Sequence, residues 1–393
     1  MNARTATYRP VRDANTWLSY SQISLWAWYL YAFGATVALL SDDQGTSRTA
    51  ASLHGSMIAI SGIISGLFAS KLIDRYGRGR ILRISTVGAI VAITAYAWPG
   101  ATYPVTITAA FLSGICGTLL IIGNNAYMLS HQGLAGPASL TEANALAAFS
   151  GLIGPLFVGL CATLIVGWQA GVLIVAVGLA ISELARGRRT SEFGAPGAQA
   201  HAEHRAAALP RNVYWSMALI MCFLGTEFSV VFWSADLLRE RASFGPAAAA
   251  AALAAVTGGM AIGRLVGSRV AEHFAIDPVL RLSVLIALIG FAFIWIPSIG
   301  WLMLIGMFIT GLGISVHWPL AVSRAVNASG GMTDRASALS SVFGSIAIAT
   351  APFLLAVLSE TLGFHTAFLM IPILLVMGLV ILFVRPESTS PSQ

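Results

Sequence analysis

The chain has 393 residues, of which 57% are hydrophobic and only 10% charged, and its mean hydropathy of +0.80 lies outside the range of water-soluble globular domains. The net charge of +6 falls in short segments between apolar runs, so it calls for no nucleic-acid partner. Three cysteines, Cys116, Cys161 and Cys222, all lie inside apolar runs, which excludes a disulfide or metal framework and leaves them as small buried hydrophobes.

A helix that crosses the hydrocarbon needs about 20 apolar residues, and that length recurs twelve times. The predicted helices are 17–40, 49–70, 81–98, 104–130, 141–166, 168–185, 212–236, 246–270, 279–296, 300–326, 335–360 and 365–384. The first follows a polar start through Thr16 and lacks a cleavage site, so it is read as a span and not a signal. Tyr20, Ser24, Trp28 and Tyr31 can share one of its faces and line a pocket, while Trp17 and Tyr20 also suit the membrane interface. After the second helix comes SKLIDRYGRGRIL, Ser70 to Leu82, where Lys71, Asp74, Arg75, Arg78 and Arg80 crowd together. The fourth helix carries Asn124 and Asn125, adjacent amides that need partners in an apolar span. The fifth opens on Ser139 and Glu142, spaced as a capping box.

Residues 186–211, rich in Ala, Gly and Arg, read as a polar linker. His201 and His204 within it have no Cys or carboxylate arrangement around them, so they are assigned to a solvated linker and not to a metal. The seventh helix holds Glu227 and the tenth His317, followed by Trp318. Glu227 and His317 are the only strongly ionisable side chains the reading places well inside spans, since Glu142, Glu183, Asp236 and Glu360 fall near helix ends. A charged group at bilayer depth faces a cavity or a partner. Glu227 can therefore serve substrate binding or proton coupling, or make a structural hydrogen bond to a neighbouring helix, and the same alternatives hold for His317.

With both termini on one side, 19 of the 22 cations share that side, leaving only Arg48, Arg239 and Arg241 on the other. Lys and Arg accumulate in cytoplasmic loops, so both termini are expected in the cytoplasm. A single lysine among the cations, with heavy Ala and Gly use, matches a GC-rich bacterial genome. The chain also repeats itself at half length. Residues 70–76 match 268–274 in type at an offset of 198, Phe111–Ile115 matches Phe308–Leu312 at 197, and Gly167–Gly171 matches Gly363–Ala367 at 196. This divides the chain into a first six-helix half, 1–185, the linker, and a second half, 212–393. Two such halves, related by an axis along the membrane normal, are a transporter architecture with substrate held between them.

The stretch Ser70 to Leu82 resembles the signature loop of the major facilitator superfamily, G-x-x-x-D-R-x-G-R-R, with Asp74, Arg75, Gly77 and Arg78 in register. Ser70 replaces the family's first glycine, and Gly79 interrupts the final basic pair. The second half, from Glu227-Phe228 through GMAIGRLVGSRVAEHF, looks like bacterial permeases of the fucose-permease or drug-efflux type. The resemblance implies an all-α membrane protein of twelve transmembrane helices in two pseudo-symmetric halves. It also implies an inner gate in which Asp74 docks toward the start of the eleventh helix and Glu272 toward that of the fifth. A carboxylate facing a helix N-terminus is stabilised by the roughly half positive charge there. Gly77 would permit the turn, while Arg75 and Arg78 hold the loop at the interface.

Two departures weaken proton coupling through the first half: Ala110 stands where many proton-driven members have arginine, and the first helix lacks a mid-depth carboxylate. The run Gly151–Gly159 of the fifth helix partly resembles the glycine-proline motif of drug/proton antiporters, with Val158 where that motif has glycine, and gives efflux a slight lead over uptake. The expected function is secondary active transport of a small organic molecule by alternating access, with protons as a candidate coupling ion. The expected setting is a monomer in the bilayer of a bacterial inner membrane, with no cofactor. The alternatives are a facilitator of a neutral solute and a non-transporting sensor on the same fold. A membrane enzyme finds no nucleophile motif, metal cluster or ATP-binding loop to support it.

Overall fold

The computed structural model describes residues 10–132, 135–164, 166–194, 209–271, 274–330 and 333–386, so Glu272, His201 and His204 lie outside the described residues. The first half comprises α1 (Ala14–Gln44), α2 (Arg48–Tyr76), α3 (Arg78–Tyr96), α4 (Tyr103–Gln132), α5 (Gly136–Ala162) and α6 (Gln169–Arg186). The second comprises α7 (Arg211–Ala242), α8 (Pro246–Ala271), α9 (Ile276–Trp295), α10 (Gly300–Ile314), α11 (His317–Asn327), α12 (Thr333–Leu362), α13 (Phe364–Ala367) and α14 (Met370–Val384). Twelve stretches are long and apolar enough to cross a membrane. The tenth is α10 with α11, and the twelfth is α13 with α14.

Local chemistry sets the boundaries. Asp13 caps α1 by accepting a 2.8 Å hydrogen bond from the Thr16 amide, and its carboxyl lies below the usual range. Partial burial pushes it up, but the Thr16 amide and the His131 ring outweigh that. The helix runs past the apolar stretch to Gly45, whose φ of 63° closes it in the left-handed conformation. α7 likewise continues to Ala242, because helix hydrogen bonding does not stop where hydropathy does and Leu, Arg and Glu are good helix formers. These two extensions carry Asp42, Arg239 and Glu240 beyond the apolar stretches. The end of the molecule that holds most cations is called the basic end below, and the other the outer end.

The halves meet mainly along α1 with α7, α2 with α12, and α5 with α8, and α1 also touches α8. At the outer end the seal is polar. Arg48 pairs with Glu240 at 2.9 Å and Arg239 with Asp42 at 2.8 Å. Glu360 accepts from the Thr49 amide at 3.0 Å, in the first turn of α2. Deeper in, the Ser56 hydroxyl donates to the Ala349 carbonyl at 2.6 Å. Gly34 lies so close to α7 that a Cβ there would be 2.5 Å from the Val231 carbonyl oxygen and 2.9 Å from the Phe232 Cα. At the basic end, no hydrogen bond or ion pair among the described residues joins the halves. Among the described residues, the ion pairs that join the halves thus lie at the outer end.

Three arginines that the sequence assigns to solvated segments are buried. Arg186 ends α6 with no exposed surface. It donates to the Gln22 side chain at 2.9 Å and pairs with Glu183 at 2.9 Å. Gln22 also donates to Thr86 and Ser182 and accepts from Asn124, so one polar node ties α1, α3, α4 and α6 together. Within the stretch that follows, Arg189–Phe193 form a 3-10 helix docked on α3 of the first half. Phe193, the only aromatic residue (Phe, Tyr or Trp) of the polar stretch 186–211, is fully buried. Its ring packs 4.5 Å from that of Tyr127, and its carbonyl accepts from Arg78, the second of the three.

The third buried arginine, Arg324 of α11, pairs with Asp277 of α9 at 2.9 Å and donates to Ser216 of α7 at 3.0 Å. Removing one partner of a buried pair strands the other charge, at a cost of about 3–5 kcal/mol. Asp277→Ala is therefore expected to lower the thermal stability of the purified protein strongly, whereas Arg12→Ala, at the exposed pair with Glu142, should leave it nearly unchanged. Equal melting temperatures for the two variants would remove the buried pair as a fastener of the second half.

Candidate functional site

Between the halves, on the basic side of the outer seal, lies a cavity of about 270 Å³. The first half contributes Tyr31 of α1. The second contributes Glu227 and Phe228 of α7, Arg264 of α8, Trp318 of α11, and the small residues Ser341, Gly344 and Ser345 of α12. Gly344 keeps the wall thin: a Cβ there would be 2.7 Å from Leu224 and 3.0 Å from the Trp318 ring. Ile348, one residue from the Ala349 seal, closes the outer end of the space.

Glu227 is 4% exposed. The Arg264 guanidinium donates to the Tyr31 hydroxyl at 3.2 Å, a hydrogen bond from one half to the other. Glu227 and Arg264 face the same cavity and attract one another, yet none of their charged atoms come within 4.0 Å. Carboxylate, guanidinium, phenol and indole thus converge on one space, offering a strong acceptor, a strong donor, an amphoteric hydroxyl and a flat apolar face.

This corrects the reading that Glu227 and His317 are the only strongly ionisable groups well inside spans. Arg264 was counted among the loop cations because it lies toward the basic end of α8. The available signal was its flanks, Ala261-Ile262 before it and Leu265-Val266 after it, which are those of a span interior. His54 is a second omission: it is 1% exposed in α2, where its ring hydrogen-bonds to Thr106 at 2.9 Å.

The other residues singled out from sequence are scattered. Tyr31 and Trp318 line the cavity with Glu227. Trp28 does not; its indole donates to the Gly171 carbonyl at 3.2 Å and meets Phe157 edge-on, so it faces α5 and α6. Tyr20 is also turned away, bonded to Ser139 and Glu142 at the basic end. Asn124 belongs to the Gln22 node, and Asn125 is half-buried on α4 outside the cavity lining. His317 is fully buried at the start of α11, stacked on Phe223 with ring centroids 3.9 Å apart. Neither of its nitrogens has a hydrogen-bond partner among the described residues.

In the loop between α2 and α3, Asp74 and Arg75 are exposed. Gly77 adopts φ 83° and ψ 142°, ending one helix and starting the next within a single residue, a conformation that side chains with a Cβ resist. Arg78 is 7% exposed and donates to Ser130 at 2.9 Å and to the Phe193 carbonyl. Its contacts lie within the first half and anchor the loop there, so in this structure it does not reach across to the second half.

The sequence matches the Major Facilitator Superfamily over residues 21–276 and again over 217–393; the chain belongs to that family. No curated protein sequence matches it. Among solved structures, it is similar to a point mutant of the nucleoside transporter NupG, with a TM-score of 0.77 at 13% identity. That match covers 94% of this chain and 98% of that one. It is also similar to the inward-open xylose transporter XylE from E. coli, with a TM-score of 0.74 at 14% identity over 96% of this chain and 97% of that one. At such identities the likeness is one of fold.

Proposed function

We propose that the protein is a secondary transporter that carries a small polar organic molecule across the membrane by alternating access. The observation that carries this reading is the cavity between the halves, with Glu227, Arg264, Tyr31 and Trp318 converging on it. Substrate sites of this architecture lie near the bilayer midplane between the halves. Ligand pockets combine apolar walls with a few convergent polar groups and usually enclose about 300–1,000 Å³. The cavity here, about 270 Å³, stands at the lower limit and suits a compact solute. The solved nucleoside and xylose transporters of similar fold favour the same size class.

The halves, 1–185 and 212–393, rock about this cavity as a single chain in a bacterial inner membrane. The basic end faces the cytoplasm, which makes the present conformation inward-facing. Protons are the proposed coupling ion, with Glu227 as the carrier. A facilitated exchange of a neutral solute is the second reading, favoured by the attraction between Glu227 and Arg264, which leaves the site with little net charge. Uptake of radiolabelled sugars, nucleosides, organic acids and amines into proteoliposomes, with and without a pH gradient, tests both. Absence of transport for every compound that stabilises the purified protein against heat overturns the transporter reading.

When the outer end opens, the basic end closes, and Asp74 then meets the start of α12 while Glu272 meets that of α5. The exposure of Asp74 and Arg75 supports this gate. Asp74→Asn is expected to shift the population toward the inward-facing state, slow transport several-fold, and raise labelling of cysteines introduced along the basic side of α12. Glu272→Gln should act in the same sense but more weakly. Unchanged labelling in Asp74→Asn removes Asp74 from the gate.

A further inference from the structure

A second cavity, of about 570 Å³, opens along the flank of the first half between α1, α5 and α6, and shares no lining residue with the central one. Its walls are largely apolar, with Trp17, Leu18, Leu25, Trp28 and Ile181 among them, and Arg189 stands at its basic end. Ile181 is 61% exposed and Trp17 52%, so the groove faces the surroundings of the protein and not its interior. Along α1 it extends from Ala14 to Trp28, about 21 Å at 1.5 Å per residue. Half of a bilayer's hydrocarbon is about 15 Å thick. The groove therefore reaches from the headgroup level of the basic-side leaflet to the middle of the membrane.

The charge at its mouth is uncommitted. Arg189 and its neighbour Arg188 lie at the surface, and no ion pair or hydrogen bond among the described residues engages either guanidinium. Glu192, the nearest acid in that turn, is held by the Asn15 amide at 2.6 Å. Trp17 beside them is an indole at the interface level, where tryptophan anchors proteins to headgroups.

We propose that this groove is a binding site for one anionic phospholipid of the basic-side leaflet, its phosphodiester on Arg189 and an acyl chain running along α1 to Trp28. Because Arg189 belongs to the docked 3-10 helix that also holds Phe193, whose carbonyl Arg78 engages, the headgroup would bear on the start of the linker and, through Arg78, on the loop after α2. Arginine suits a phosphodiester because its planar fork presents paired donors.

Native mass spectrometry of the detergent-purified protein tests this, with phosphatidylglycerol and phosphatidylcholine of identical chains as separate probes. Wild-type protein should retain phosphatidylglycerol more tightly. Arg189→Gln should weaken its binding about fivefold, the expected effect of one cation near the membrane surface, and leave phosphatidylcholine unchanged. Arg189→Lys, which keeps the charge but not the fork, should recover only part of the loss, and Ser24→Phe, which fills the deep end, should weaken both lipids. Glycerol phosphate, which has an anionic phosphate and no chains, should not compete. Equal affinity of the two lipids for wild type, an unaltered phosphatidylglycerol affinity in Arg189→Gln, or competition by glycerol phosphate at equal concentration each overturns the proposal.

Discussion

Glu227→Gln protein in proteoliposomes is expected to lose accumulation of substrate against a gradient while retaining counterflow exchange. Glutamine keeps the size and hydrogen-bonding reach of the side chain but cannot take up and release a proton. If the carboxylate instead pairs with a cationic substrate, the same change weakens binding and counterflow together, and the two roles separate in one experiment. Arg264 sharpens the test. With Glu227 neutral, the guanidinium becomes the only charged side chain among the described residues that line the cavity, and a buried charge without its counter-charge is costly. Apparent affinity for any anionic competitor should therefore rise in Glu227→Gln and fall in Arg264→Gln. Rates and gradients equal to wild type between pH 5 and 8 in Glu227→Gln remove this residue from both roles and leave a facilitator with a neutral site.

Gly34→Val is expected to abolish turnover by preventing the outer end from closing. Its Cβ would meet the Val231 carbonyl oxygen at 2.5 Å and the Phe232 Cα at 2.9 Å, both of them backbone atoms that cannot rotate away. The alternative to this clash is separation of α1 from α7, which opens the outer side. The measurement is labelling by a membrane-impermeant thiol reagent at Ser56→Cys, in a background where Cys116, Cys161 and Cys222 are replaced. Position 56 is sealed against Ala349 in this structure, so labelling should rise at least tenfold when Gly34→Val is added. Gly55→Val serves as a milder comparison, because its Cβ would meet the edge of the Phe232 ring, which can turn aside. Equal labelling with and without Gly34→Val would mean that the α1–α7 approach does not govern closure.

Most of the fold was legible because membrane spans declare themselves by length and hydropathy, and because three segment pairs repeat at nearly constant offset. The boundaries of α1 and α7 were less so, since their outer ends continue on helix propensity and cross-half ion pairs after the apolar stretch ends. The site was half legible. Glu227 is conspicuous in an apolar helix, but Arg264 was absorbed into a count of basic-end cations that holds for its neighbours and fails for it. Arg186 and Arg324 were absorbed in the same way. A rule about where positive charge accumulates cannot tell a guanidinium facing water from one folded back onto a buried carboxylate, because that depends on partners such as Glu183 and Asp277 contributed by the helices. Trp28 and Tyr31 show the complementary limit: three positions apart on α1, one faces α5 and α6 and the other the central cavity.

The outer seal has an energetic character that bears on how fast such a machine can cycle. Its two ion pairs are built from side chains left 27% to 46% exposed, and pairs of that kind contribute about 1 kcal/mol or less each. The tight backbone approach at Gly34 adds dispersion, and the hydrogen bonds Thr49–Glu360 and Ser56–Ala349 add about 1–3 kcal/mol each at most. A conformation held this way rests in a shallow well, so the free-energy difference between the two orientations stays small enough for binding of one compact solute to tip it. A deeper lock at the outer end would make the inward-facing form more stable and the carrier slower.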